Sequence, residues 1–340
     1  MYKIQSLNTF SINALAKNVV TANSELELFK LWNETKKNKQ FSLILGKGSN
    51  ILFLENFLGT IILNRIKGII IREKKTSWNI HSNSGETWHN LVKHTIYNNI
   101  PGLENMALIP GCVGSAPIQN IGAYGIEFHE ICQYIDIIEL KTGKKIRLNA
   151  YKCKFGYRTS IFQKNNFTKK YAITAVGIRL KKNWKPILTH NELKKHLNKK
   201  TITPKNIYNT ICKIRKNKFP NLLSLGNAGS FFKNPIINKK LAQAIIKKHP
   251  NIPYYIQKNK KIKFLAAWII ENCGLKGFRL KNAAVYKKHA SILVNTGNAD
   301  GKNIIELAKY IQRKVKKKFS LKLKLEVQLI YNYKKNNIFI

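Results

Sequence analysis

The tightest constraint on this chain is a stretch without charge. Nothing from Asn105 to Ile126 carries one, although 23% of the chain is charged. At its centre runs Ile109-Pro110-Gly111-Cys112-Val113-Gly114-Ser115-Ala116-Pro117-Ile118-Gln119-Asn120-Ile121-Gly122-Ala123-Tyr124-Gly125. Two prolines and four glycines exclude a continuous helix, and with it a membrane span. What remains is small side chains, turns and many backbone N–H groups. Such a segment lets backbone approach a ligand closely, and successive N–H groups can hold a diphosphate. Taken alone, the stretch fits a buried glycine-rich crossover between two sheets equally well.

The 340 residues suffice for two or three domains. Met1-Tyr2-Lys3 is not followed by an apolar signal region, and no apolar run reaches the length of a membrane helix. Five cysteines are scattered with no C-x-x-C pair, which argues against a zinc site or a disulfide framework and for the cytoplasm. Lys plus Arg outnumber Asp plus Glu 61 to 16, a net charge of +45. That excess suggests a basic nucleic-acid-binding protein. The lysines, however, run from end to end among many Asn and Ile rather than in one stripe, and all three residues have A/T-rich codons. Mutational bias is a sufficient cause. The field still attracts anionic substrates, and loose nucleic-acid binding follows from it without specificity.

Ser24-Glu25-Leu26-Glu27 reads as a capping box before a helix with Leu28, Leu31 and Trp32 on one face. Strands follow at Phe41–Leu45, Ile51–Leu54, Thr60–Leu63 and Ile69–Ile71, then a helix from about Thr87. Ile135–Leu140 and Lys145–Leu148 form a hairpin around Thr142-Gly143, and Tyr171–Leu180 is a further strand. Lys181 to Thr203 is a polar linker or excursion. Thr203-Pro204 opens a helix carrying Ile207, Tyr208, Ile211 and Cys212. Helices at Lys239–Lys248, Phe264–Asn272 and Gly301–Lys317 precede a closing strand, Leu321–Leu329. The order gives an α+β protein of at least two domains.

Four constellations carry chemistry. Gly46-Lys47-Gly48-Ser49-Asn50 follows a strand, but Ile51 stands where a Rossmann fingerprint needs its third glycine, and a strand follows instead of a helix. In Phe155-Gly156-Tyr157-Arg158-Thr159-Ser160 an arginine sits among apolar and small residues, where it needs an anionic partner. Gly226-Asn227-Ala228-Gly229-Ser230-Phe231-Phe232 holds a serine in a flexible turn with no histidine near in sequence, so it is no nucleophile elbow but can serve as a proton donor. In Leu321–Leu329 alternation puts Lys322, Lys324 and Glu326 opposite the apolar face. The lysines read as solvated, while Glu326 can line a site.

Together these patterns resemble the UDP-N-acetylenolpyruvoylglucosamine reductase family from Asn8-Thr-Phe10 to about Ile330. The likeness adds Gln119-Asn-Ile-Gly-Ala-Tyr124, Ser160-Ile-Phe162 and Lys233-Asn-Pro235 to the four segments. It implies a vanillyl-alcohol-oxidase-type FAD-binding half (residues 1–202, in subdomains of about 1–67 and 68–202), a substrate-binding α+β domain (203–331) and a tail (332–340). It implies NADPH as reductant, UDP-N-acetylglucosamine enolpyruvate as substrate, no metal and a monomer. Hydride passes from reduced flavin to the enolpyruvyl C3, Ser230 protonates C2, and Arg158 and Glu326 stabilise the enol-like intermediate. FAD contacts are expected from Gly46, Lys47, Gly48, Ser49, Asn50, Pro110, Gly111, Cys112, Gly114, Ser115, Asn120, Gly122, Ala123 and Tyr124. Substrate contacts are expected from Tyr157, Lys218, Asn234 and Tyr255, with Lys218 and Tyr255 at the diphosphate. The chain departs from the pattern in three places. His190 stands where the subclass with an extra substrate-covering loop has Tyr, His289 replaces a Gln contact, and Lys281 and Asn282 replace glycines. Another flavin oxidoreductase of the same fold is the alternative within this class.

Overall fold

The computed structural model describes residues 1–164, 167–197, 202–222, 224–257 and 259–331. The expected tail, 332–340, lies outside them. Among the described residues no helix is long and apolar enough to cross a membrane.

The first sheet has the order Tyr2–Lys3, Leu15–Ala22, Phe57–Asn64, Ser42–Leu45. Its last three strands are parallel, so the chain must cross over between them. The helix Glu25–Lys37 makes one crossover, capped by Ser24, whose hydroxyl accepts from Glu27 N–H at 3.1 Å. Glu27 reaches back to Asn23 N–H rather than to Ser24, one residue beyond the expected box. The second sheet is antiparallel throughout, in the order Lys145–Asn149, Cys132–Glu139, Tyr171–Lys181, Ser77–Asn83, Ile69–Glu73. The expected hairpin sits at its edge, with Gly143 at φ +77° closing the turn.

Two expectations need correcting. The closing strand Leu321–Leu329 forms a ladder at Gln328–Ile330 alone, parallel to Ile51–Phe53, with a single antiparallel bridge from Leu325 to Phe232 before it. Its alternation is nonetheless real, because Leu321 and Leu323 are buried while Lys322 and Lys324 are exposed. Period-two burial reports an extended chain lying on a core, with or without a ladder. The polar excursion after Lys181 contains a short helix, Asn191–His196, anchored by Leu193 alone.

Two large cores organise the molecule. One joins Ile4, Phe10, Phe53 and Ile61 to Phe231, Ile269, Leu307 and Leu323, so both ends of the chain share it. The other gathers Ile80, Trp88, Val113, Phe128 and Val176 with Ile207, Ile211 and Ile214. The helix Pro204–Lys218, expected to open the C-terminal domain, therefore packs into the middle lobe. We propose a boundary just after this helix in place of 202/203.

Candidate active site

Between the lobes lies a cleft of ≈ 400 Å³, reached by Gly46 to Asn50, by parts of the charge-free stretch, and by Arg158, Ser230 and Glu326. Two glycines set the approach of its loops, Gly48 on the lining and Gly111 just behind it. Gly48 has φ +60°, and a Cβ there would sit 2.1 Å from the Leu7 carbonyl. Gly111 has φ +119°, and a Cβ would press between Ser49 Oγ at 2.9 Å and Ser115 Oγ at 3.0 Å. Neither position accepts a side chain without displacing backbone or closing the gap between the two loops.

Hydrogen-bond accounting changes how an anion would be held. In the charge-free stretch most N–H groups are already used: Val113 donates to Glu86 O, Gly114 to Ser84 O, Ser115 to Cys112 O and Ile121 to Ala116 O. Cys112 N–H donates to Ser115 Oγ at 3.1 Å. Lys47, Gly48 and Ser49, by contrast, keep their N–H groups out of any hydrogen bond among the described residues. The diphosphate seat expected of Ile109–Gly125 is better supplied with free donors in the Gly46–Asn50 loop. The longer stretch forms a rigid wall facing it.

The side chains expected to react come from three segments stitched together. Gly156 and Thr159 pair across a tight turn that holds Arg158 at φ +50°, a conformation costly for a residue with a Cβ. Lys233 Nζ donates to the Arg158 carbonyl at 3.0 Å and helps fix it. Glu326 N–H donates to Phe231 O at 2.9 Å, which ties the glutamate to the segment carrying Ser230. Arg158 Nε lies 2.9 Å from Glu326 Oε1, yet the buried Nε–H has no aligned acceptor. The two form an ion pair with a donor to spare. Burial pushes the Glu326 carboxyl above its ordinary range, and Arg158 and Lys233 pull it partly back. A buried Arg–Glu pair with spare hydrogen-bonding capacity suits a planar carboxylate that becomes more charged as it reacts.

The remaining expected residues divide by position. Lys47, Asn50, Pro110, Cys112, Gly114, Ser115, Gly122, Ala123 and Tyr124 line the cleft, as do His190, Lys218 and His289. Asn120 does not; fully buried, it accepts from His129 N–H and donates to Glu127 Oε2 and Gly156 O, bracing the turn before Arg158. Asn234 is likewise turned away, with its Oδ1 accepting from Ala266 N–H. Tyr157 packs behind Arg158, 5.7 Å from its guanidinium to ring centre, and Tyr255 is half exposed on the strand Tyr254–Ile256. Lys218 is held by Glu192 at 2.6 Å. His190 packs edge-on against Tyr124 at 4.8 Å, with its Nδ1 buried and without a partner.

Sequence reasoning missed Arg215, Glu192, Gln119 and Gln328, all of which line the cleft. Arg215 was findable. It lies four residues after Ile211 and seven after Tyr208, on the apolar stripe of its helix. Its guanidinium covers the Phe219 ring at 4.5 Å, its Nη2 donates to Leu108 O, and its Nε is buried without a partner.

A flat aromatic cofactor with a diphosphate fits what these residues offer: a cleft, a glycine at a close backbone approach and unused N–H groups. The comparisons with known proteins agree. Residues 16–149 match the family model for an FAD binding domain, and residues 221–330 match that for the UDP-N-acetylenolpyruvoylglucosamine reductase C-terminal domain. The chain is 54% identical over 333 residues to the UDP-N-acetylenolpyruvoylglucosamine reductase of Blochmanniella pennsylvanica, covering 98% of this chain and 96% of that one. The Salmonella typhi enzyme of the same name is 46% identical over 97% of this chain and 96% of its own. Among solved structures, the UDP-N-acetylenolpyruvylglucosamine reductase of Thermus caldophilus shares the fold with a TM-score of 0.65 at 20% identity, covering 96% of this chain and 97% of that one. An α+β protein with an FAD-binding domain in front and this C-terminal domain behind, the chain belongs to the UDP-N-acetylenolpyruvoylglucosamine reductase family.

Proposed function

We propose that this chain reduces UDP-N-acetylglucosamine enolpyruvate to UDP-N-acetylmuramate for peptidoglycan precursor synthesis, with FAD as bound carrier and NADPH as reductant. The observation that carries this reading is the meeting of the Arg158–Glu326 pair and Ser230 on one cleft with the Gly46–Asn50 loop. Gly46 to Asn50 and the wall from Pro110 to Ser115 would hold FAD, which when bound supplies the hydride for the enolpyruvyl C3. Arg158, its Nε held beside Glu326, turns the outer edge of its guanidinium to the substrate carboxylate. Glu326, its proton affinity raised by burial, shares a hydrogen bond with the same group as charge builds there. Ser230 gives its hydroxyl proton to C2, so that hydride and proton together saturate the double bond. Lys218, Arg215 and His190 lie further along the cleft, where cations and an aromatic ring suit a nucleotide diphosphate and base. We assign the cytoplasm as its compartment, in keeping with five unpaired cysteines.

The test separates the two halves of the reaction. NADPH should bleach the flavin anaerobically, and UDP-N-acetylglucosamine enolpyruvate should restore its colour. In Ser230→Ala bleaching should persist, while recovery slows by about 10²- to 10⁴-fold, the usual contribution of a positioned acid. Equal survival of both steps would show that Ser230 is not the proton donor.

A further inference from the structure

Behind Ser230 lies a chain of hydrogen bonds that hydride transfer and a single protonation do not require. Ser291 Oγ donates to Ser230 Oγ at 3.1 Å and stands 2.9 Å from His289 Nδ1. Ser291 has a single proton, and it is committed to Ser230. With Ser291 donating to Ser230, the arrangement that satisfies both contacts puts the proton of the neutral imidazole on Nδ1, donating to Ser291. Both serines are held on paired backbone, with Ser230 bridged to Ile292 and Phe231 N–H donating to Ser291 O at 2.7 Å. His289 is stacked on Phe219 at 5.9 Å and 21°, and it lines the same cleft.

The geometry points to Ser291, anchored by His289, as a positioning residue that aims the Ser230 proton into the cleft and returns a proton to Ser230 after transfer. This role rests on the proposed reductase function. With its oxygen accepting from Ser291, Ser230 keeps its O–H free to direct at a substrate. As the Ser230 O–H bond breaks and the C2–H bond forms, the Ser291 donor stabilises the alkoxide left behind. The Ser291 proton then moves to Ser230, the Nδ1 proton of His289 moves to Ser291, and Nε2 takes one from water in the cleft, whose hydroxide is neutralised by bulk acid. The imidazole regains its Nδ1–H form by proton exchange with solvent before the next turnover. The net source is one solvent proton per product. Burial, reinforced by Lys218, pushes His289 down to about 4, against the smaller opposing pull of Glu192 and Glu271; Lys276 adds a further downward push. The ring therefore stays neutral at working pH, as a carrier that gives at one nitrogen and takes at the other requires.

The experiment uses FAD-loaded enzyme reduced anaerobically with NADPH, then mixed with UDP-N-acetylglucosamine enolpyruvate in H2O, D2O and mixtures. In Ser291→Ala, flavin reoxidation should slow on the order of 10- to 100-fold, at the lower end of what one donor to a developing oxyanion contributes, because water can replace part of the lost hydrogen bond. The dependence on deuterium fraction should change from curved, with several protons in flight, to linear. Ser291→Thr, which keeps the hydroxyl, should restore both rate and curvature, and bleaching by NADPH should be unchanged in all three proteins. Wild-type rate and curvature in Ser291→Ala would overturn the relay alone. Equal slowing of bleaching and recovery would also overturn it, because Ser291 would then be holding the fold. Failure of the wild-type flavin to be reoxidised would instead remove the proposed function, and the relay with it.

Discussion

Replacing Arg158 by Met should destabilise the protein by an amount that depends on pH. The substitution keeps much of the aliphatic bulk and removes the cation 2.9 Å from Glu326. A buried carboxylate stripped of its partner costs about 3–5 kcal/mol, but Glu326 can escape by taking a proton. Starting from the ordinary value of 4.5, holding that proton at pH 7 costs about 1.36 × 2.5, or about 3.4 kcal/mol. That figure is a ceiling, and Lys233, which also acts on Glu326, keeps the loss below it. The sign follows from linkage. A carboxyl raised in the folded state contributes its full stability below the unfolded value and loses it as pH rises through the folded value. The gap between variant and wild type should therefore narrow from pH 7 to pH 5 by as much as about 2.6 kcal/mol. Urea midpoints followed by tryptophan fluorescence at the two pH values measure it, and Arg158→Met/Glu326→Gln should recover most of the pH 7 loss. A gap that is equal or wider at pH 5 would refute the reasoning, since the carboxyl would then not be what the arginine neutralises.

Two further outcomes follow from the site. Gly48→Ala must force a Cβ against the Leu7 carbonyl at φ +60°, so it should cost more than the roughly 1–3 kcal/mol of the backbone conformation alone and weaken FAD retention, read from the flavin absorbance after gel filtration. Glu192→Gln frees Lys218 from an ion pair of the class worth up to about 1 kcal/mol, so KM for the anionic substrate should fall by up to about 5-fold with kcat little changed; a rise in KM would show that Glu192 itself holds substrate.

Local rules were readable where one residue type has one physical job. Ser24 and Thr203 cap the helices that follow them, as their sequence positions predict, and Gly274 at φ +74° ends the helix Ala266–Asn272. The strand Leu15–Ala22 is hard to see in sequence because Lys17 and Asn18 interrupt its apolar pattern, although it sits inside the first sheet. Among 61 basic residues, Arg215 stands out only by its place on the apolar stripe of its helix, a signal that composition drowns. The resemblance brought the right segments to the cleft, but it could not separate residues that face the ligand from those that brace them. Asn120 and Asn234 spend their amides on backbone and neighbouring side chains, a distinction made by side-chain direction and invisible in sequence order. The same holds for the charge-free stretch, whose N–H groups are mostly consumed within its own turns and by neighbouring loops.

The pairing of Ile51–Phe53 with Gln328–Ile330 has a consequence for how the protein comes into being. A ribosome makes the first of these strands long before the second. Phe10, Phe53 and Ile61 cannot complete their core until Leu321, Leu323 and Ile330 arrive, while the middle lobe can gather its own core beforehand. Asn50, in the loop with the free N–H groups, donates to the Glu326 carbonyl at 3.3 Å, so the same late arrival braces that loop. The proposed cofactor seat and the proposed acid–base groups thus come into register together, once the second strand is in place.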